Sequence, residues 1–173
     1  RYAYITSSAG VNRGLEIMDL SDPRRPMHAG VYSIGGTNQV TGVAVQGKYA
    51  YVVNNTGDTF YIIDVSNPAN PTLTASIADT AQTALDNNQR VFVSGNYAYV
   101  TSDGDQGVQI IDITSSTNPL PAGKILNGEG GAALATTNIG LFVQGNYLYV
   151  GNYGGDALEV IDIGGTVISN ADI

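Results

Sequence analysis

The chain has 173 residues, enough for one domain with a sizeable core, and a net charge of −8 from seven basic and fifteen acidic residues. That charge argues against a nucleic-acid partner, because phosphates would be repelled, and leaves cations and basic proteins open. Without cysteine there is no disulfide, thiol nucleophile or thiolate metal site, and no apolar run approaches the ~18 residues of a membrane helix.

The chain opens on "RYAYITSSAGVNRGLEIMDLS", which with the residues up to about 39 reads as three strands, b, c and d, of a first unit. The second unit, 40–87, is the clearest. "TGVAVQ" is strand a, "YAYVVN" strand b, "TFYIIDV" strand c and "PTLTASI" strand d. Val, Ile, Tyr and Thr fill these runs, and Gly, Asn, Asp and Pro punctuate them. The "QG" or "SG" before each Tyr predicts a tight a–b turn, where Gly is free to take positive φ. The next connection, "TAQTALDNNQ", is the only stretch that could hold a helical turn. The third unit, 88–137, repeats the four strands. The fourth, 138–173, repeats a, b and c, and "TVISNADI" offers a last strand d.

The second Tyr of the G-x-Y-x-Y phrase recurs at Tyr4, Tyr51, Tyr99 and Tyr149, in steps of 47, 48 and 50 residues. Four strands in about 40–50 residues, repeated in tandem, predict the blades of a β-propeller. The expected fold is all-β, one partial propeller domain over 1–173, with about four antiparallel blades. No segment resembles the strand a that the first blade lacks, so the expectation is an incomplete ring, a segment of a six- to eight-bladed propeller. A self-closed four-bladed ring is the lesser alternative.

The phrase "YAYV" followed by "IIDVSNPANP" resembles the LVIVD repeat of bacterial and archaeal surface proteins, which are taken to form β-propellers. The likeness covers essentially the whole chain. The last copy keeps "LEVIDI" and lacks the prolines that follow in the others. The resemblance implies an exported or surface-anchored location, extracellular, cell-surface or periplasmic, and no common activity.

Several residues invite a catalytic or ligand reading. Asp19, Asp64, Asp112 and Asp162 stand at equivalent strand ends, each before a turn sequence such as "VSNP". Lying on different blades, they read as acceptors for turn N–H groups rather than as catalysts. Eight of the eleven tyrosines belong to the repeated phrase, and blade packing accounts for them. His28, the sole histidine, has no Ser, Asp or second His at a useful spacing and reads as a surface residue. Residues 128–133, "GEGGAA", fit G-x-G-x-x-A in a connection between blades, without the strand and helix that a dinucleotide site needs. "DGDQG", residues 103–107, resembles part of a calcium loop, but Gly107 stands where an oxygen ligand belongs. No metal or cofactor is expected beyond weakly bound calcium.

In an antiparallel four-stranded blade the b–c and d–a loops emerge on one face. That face is expected to collect Asp58, Asp79, Asp86, Asp103, Asp105, Glu129 and Asp156, offset by Arg13 and Arg90. The other face takes Asp22, Arg24, Arg25 and Lys48. Loops that vary on a rigid scaffold are where binding is usually placed. The sequence therefore predicts a non-enzymatic binding or structural module with an acidic loop face, whose partner is a protein or the rest of a parent chain. Two alternatives stand beside it. One is part of a propeller hydrolase or lyase whose catalytic groups lie on absent blades. The other is an assembly module, including a homo-oligomer, that pairs through open strand edges.

Overall fold

The Tyr-x-Tyr phrases form strand b of four antiparallel sheets in the computed structural model, which describes residues 1–8, 13–35, 39–135 and 138–164. Sheet one contains β1 (Tyr2–Ser7), β2 (Gly14–Asp19) and β3 (Met27–Ser33). Sheet two runs β4 (Val40–Gln46), β5 (Tyr49–Asn54), β6 (Thr59–Asp64) and β7 (Thr72–Ala78). Sheet three is β8 (Asn88–Ser94), β9 (Tyr97–Ser102), β10 (Gly107–Asp112) and β11 (Leu120–Leu126). Sheet four holds β12 (Asn138–Gln144), β13 (Tyr147–Asn152) and β14 (Ala157–Asp162). Each is a simple meander in chain order. The predicted strand d in "TVISNADI" lies outside the described residues, as does much of the first b–c turn.

Register repeats as faithfully as sequence. Tyr51 pairs with Ile62 and Tyr99 with Ile110, while Tyr149 pairs with Val160 and Tyr4 with Ile17. Sheets one, two and three each carry a bulge where strand c meets strand d, at Ile17/Met18, Ile62/Ile63 and Ile110/Ile111. An extra residue on the outer strand increases its local twist. Pro121 is accommodated on one such outer strand. The a–b turns place Gly47, Gly95 and Gly145 at φ of 61°, 58° and 59°, the left-handed region that favours glycine.

The core lies between sheets. Tyr51, Phe60 and Ile62 of sheet two pack against Val91, Ala98, Val100 and Ile111 of sheet three. Tyr99 and Val108 of sheet three meet Val143, Leu148, Val150 and Ile161 of sheet four. Both faces of an interior strand are thus buried, which explains the nearly continuous apolar runs in strands b and c. Approach at the outer strands is close as well: a Cβ on Gly30 would stand 2.2 Å from the carbonyl oxygen of Pro68 in the neighbouring unit.

Two local expectations are corrected. The stretch "TAQTALDNNQ" forms hydrogen-bonded turns, because Thr83 hydrogen-bonds back to Thr80 and Asp79 instead of starting a helix. The one helical turn among the described residues is a 3-10 turn at Glu129–Gly131, inside "GEGGAA". Glu129 supports it by accepting the N–H of Leu126 at 2.7 Å.

Candidate binding face

At the end of each strand c the chain leaves the sheet, and an Asp side chain takes over the next free amide. Asp19, Asp64, Asp112 and Asp162 each accept, through Oδ1, the N–H two residues later at 2.8 Å, from Ser21, Ser66, Thr114 and Gly164. The carboxyls of Asp19, Asp64 and Asp112 are held below the ordinary carboxylate value, first by the hydroxyls of Ser21, Ser66 and Thr114 and then by their backbone N–H groups. Lys48 adds an ion pair to Asp64 at 3.3 Å. Asp112 has no such partner among the described residues, so it isolates the turn. Asp112→Ala is expected to lower the melting temperature at neutral pH. A depressed folded-state pKa contributes stability above the unfolded value of 3.8 and loses it as pH falls through the folded value. The variant and the parent should therefore melt alike in strong acid, and a gap that persists there would show that the carboxylate is not responsible.

The opposite face is built around the loop that joins sheets two and three, residues 79–87. Its shape is set by side chains. Asp79 Oδ1 accepts from the Thr83 hydroxyl at 2.9 Å and from Leu85 N–H at 3.1 Å. Gln109 Oε1 accepts from Ala84 N–H at 2.8 Å, and Lys124 Nζ donates to Thr83 O at 3.3 Å. Asp58, at the b–c turn of sheet two, accepts Asn87 N–H at 2.8 Å, and Asp105, at the b–c turn of sheet three, accepts Asp86 N–H at 2.9 Å. Leu85 is driven into the seam between the sheets, fully buried.

Three loops thereby converge, and Asp58, Asp79, Asp86 and Asp105 come close enough to act on one another. The Asp86 carboxyl is pushed up, first by desolvation and then by Asp58, Asp105 and Asp79. Asp86 is an exposed residue, yet its carboxylate lies over the backbone of Gly104: a Cβ there would stand 2.3 Å from Oδ2.

Of the other expected members of the face, Asp103 borders this cluster, and Glu129 and Asp156 lie elsewhere. Asp103 shares the b–c turn with Asp105, and its N–H bonds Asn87 O at 3.2 Å. Glu129 belongs to the next inter-sheet loop. Asp156 lines an open groove on sheet four with Gly140, Gly151, Tyr153 and Leu158. Among the described residues no group of three or more His, Asp or Glu is arranged to hold a metal ion. On the inter-sheet face, one carboxylate oxygen each of Asp58, Asp79 and Asp105 accepts a backbone amide.

Further readings change with the geometry. Arg90 lies in strand a of sheet three rather than in a loop, and its Nη1 reaches Gln89 O at 2.8 Å and Thr41 O at 3.5 Å. Blade packing covers the eight repeated tyrosines unequally, with Tyr4, Tyr49 and Tyr149 half-buried. Tyr51 and Tyr99 are buried, whereas Tyr2, Tyr97 and Tyr147 are exposed. Both positions of a phrase share one face of the sheet, but the first sits at the strand end, where the neighbouring sheet covers it less. His28 pairs with Glu16 on the adjacent strand, Nε2 to Oε2 3.0 Å. Gln109, buried and central to the loop, escaped sequence reading because its equivalents are Glu16, Tyr61 and Glu159. The only signal was an amide inside an otherwise apolar strand, "VQIID".

Known proteins agree with this architecture. The chain superposes on a Bacteroides uniformis protein assigned as a 6-phosphogluconolactonase with TM-score 0.75 at 14% identity, covering 93% of this chain and 47% of that one. It also matches the β-propeller domain of a Myceliophteria thermophila protein (TM-score 0.66, 11% identity, 91% and 53% covered). A third match is the periplasmic gluconolactonase of Pseudomonas aeruginosa (TM-score 0.62, 12% identity, 95% and 54% covered). The chain spans about half the length of these structures, and identities so low establish the fold alone. No curated protein matches. The LVIVD repeat model matches residues 1–33, 38–79, 87–125 and 139–171. With four such repeats along its length, folded into four propeller-like sheets, the chain belongs to the LVIVD repeat family.

Proposed function

We propose that the chain is a non-enzymatic binding module of an exported or cell-surface protein, and that it engages a basic protein segment through the acidic loop face at the seam of sheets two and three. The observation that carries this reading is the convergence of Asp58, Asp79, Asp86 and Asp105 from three loops, with Asp58, Asp79 and Asp105 pre-set by hydrogen bonds from backbone amides. Carboxylates held in place beforehand lose little conformational freedom on binding. The export reading is supported by the repeat family together with a surface rich in neutral polar residues and a net charge of −8.

The test uses Asp→Asn at all four positions, which removes charge and keeps an acceptor oxygen for each amide. A fluorescent oligolysine peptide should bind the parent chain at low ionic strength and release on adding salt. The fourfold variant should bind at least about tenfold more weakly, because the local potential that concentrates the cation is gone. Equal affinity for parent and variant would overturn the reading.

A further inference from the structure

The three seams between neighbouring sheets are all made the same way. One face of a sheet presents the second Tyr of the phrase together with the residues two and four before the cap Asp. In sheet one these are Tyr4, Ile17 and Leu15, which pack on Ala50, Val52 and Ile63 of sheet two. In sheet two Tyr51, Ile62 and Phe60 pack on Ala98, Val100 and Ile111. In sheet three Tyr99, Ile110 and Val108 pack on Leu148, Val150 and Ile161.

The same face of sheet four carries Tyr149, Val160 and Leu158, with Phe142 beside them. Leu158 is 66% exposed, Val160 54% and Phe142 50%, while the equivalents of Leu158 in the other sheets, Leu15, Phe60 and Val108, are fully buried. Phe142 already touches Phe92 at 5.4 Å between centroids, edge to face, so the apolar row continues an existing seam. The complementary face of sheet one is partly bare. It carries Ala3, Ile5 and Met18, and Ile5 is 48% exposed where Val52, Val100 and Val150 are fully buried. The molecule thus shows both halves of its own repeated seam, one at each end.

We propose that these two faces dock on each other in a head-to-tail pair of chains, the last sheet of each copy on the first sheet of the other, so that two copies close eight sheets into one ring. The occupant is a second copy because each exposed row has the register and chemistry of rows that already pair three times inside the chain. Face-to-face docking buries side chains, and so differs from pairing along open strand edges. Heterologous contacts of this kind end in a closed ring when the rotation per copy is a half-turn, and in an open series when it is not.

Light scattering on the 173-residue chain tests the pair. The expected mass is twice 18.0 kDa. Leu158→Asp and Ile5→Asp change exposed residues and leave each chain folded by circular dichroism, yet each alone is expected to halve the mass, since both seams of the pair use both faces. An equimolar mixture of the two variants should recover a pair, because the intact last face of Ile5→Asp meets the intact first face of Leu158→Asp. The proposal is overturned by a parent chain that stays monomeric up to millimolar concentration, which would leave the faces to blades of other polypeptide. A ladder of open multimers, or a dimer untouched by Ile5→Asp, would also overturn it.

Discussion

Phe60→Ala is expected to destabilise the fold by about 3–5 kcal/mol, the range for removing a buried aromatic ring. Phe60 is fully buried at the seam of sheets two and three, stacked on Tyr51 with 6.2 Å between centroids and packed in one cluster with Leu85, Val91 and Val100. The surrounding strands are tied into two four-stranded ladders and can collapse only slightly into the space. Leu120→Ala, on the outer strand of sheet three where the side chain is exposed, should cost within about 0.5 kcal/mol, as surface substitutions do. Chemical denaturation of both variants gives the comparison. Similar losses would mean that the seams do not carry the stability of the fold.

Gln109→Leu should cost roughly 1–3 kcal/mol although the replacement is apolar and of similar volume. Gln109 is buried in β10. Its Oε1 accepts from Ala84 N–H at 2.8 Å, and its Nε2 donates to Ile110 O at 2.9 Å and Gly123 O at 2.7 Å. Leucine leaves the buried Ala84 amide without an acceptor, and the 79–87 loop loses one of its ties to sheet three. Amide exchange at Ala84 should accelerate more than exchange at Val100 in the neighbouring strand. Gln109→Glu is expected to be worse at neutral pH, since a carboxylate would face two carbonyl oxygens. Burial raises the pKa of such a carboxyl, so the added loss should recede as pH falls toward the ordinary carboxylate range. Uniform exchange across the loop and the strand would contradict the proposed tie.

The blades themselves were legible because the signal is local and repeated. "YAYVVN" forms β5 from Tyr49 to Asn54, and "TFYIID" forms β6 from Thr59 to Asp64, as the run of β-branched and aromatic residues predicts. The a–b turns could be placed because a left-handed backbone selects Gly at 47, 95 and 145. Four units at nearly constant spacing then left little choice of architecture.

Other features depend on what a neighbouring sheet covers, and strand periodicity does not carry that information. Tyr49 and Tyr51 sit two apart on one face and both pack at the seam with sheet three, yet Tyr51 is buried whereas Tyr49, at the strand end, is only half-buried. Leu158 and Phe60 occupy equivalent positions with opposite exposure, because one has a sheet stacked on it and the other does not. Within the acidic set, sequence could place the residues on loops, but only packing brought Asp58, Asp79, Asp86 and Asp105 together. Leu85 is seated in the seam, and the loop that carries it lays Asp86 over Gly104. The sequence alone determined the strands, turns and repeat, where each residue's conformational preference and the period-two alternation act over a few residues. The tertiary structure alone decided which carboxylates meet and which apolar rows stay bare, because both follow from contacts between units about 48 residues apart along the chain.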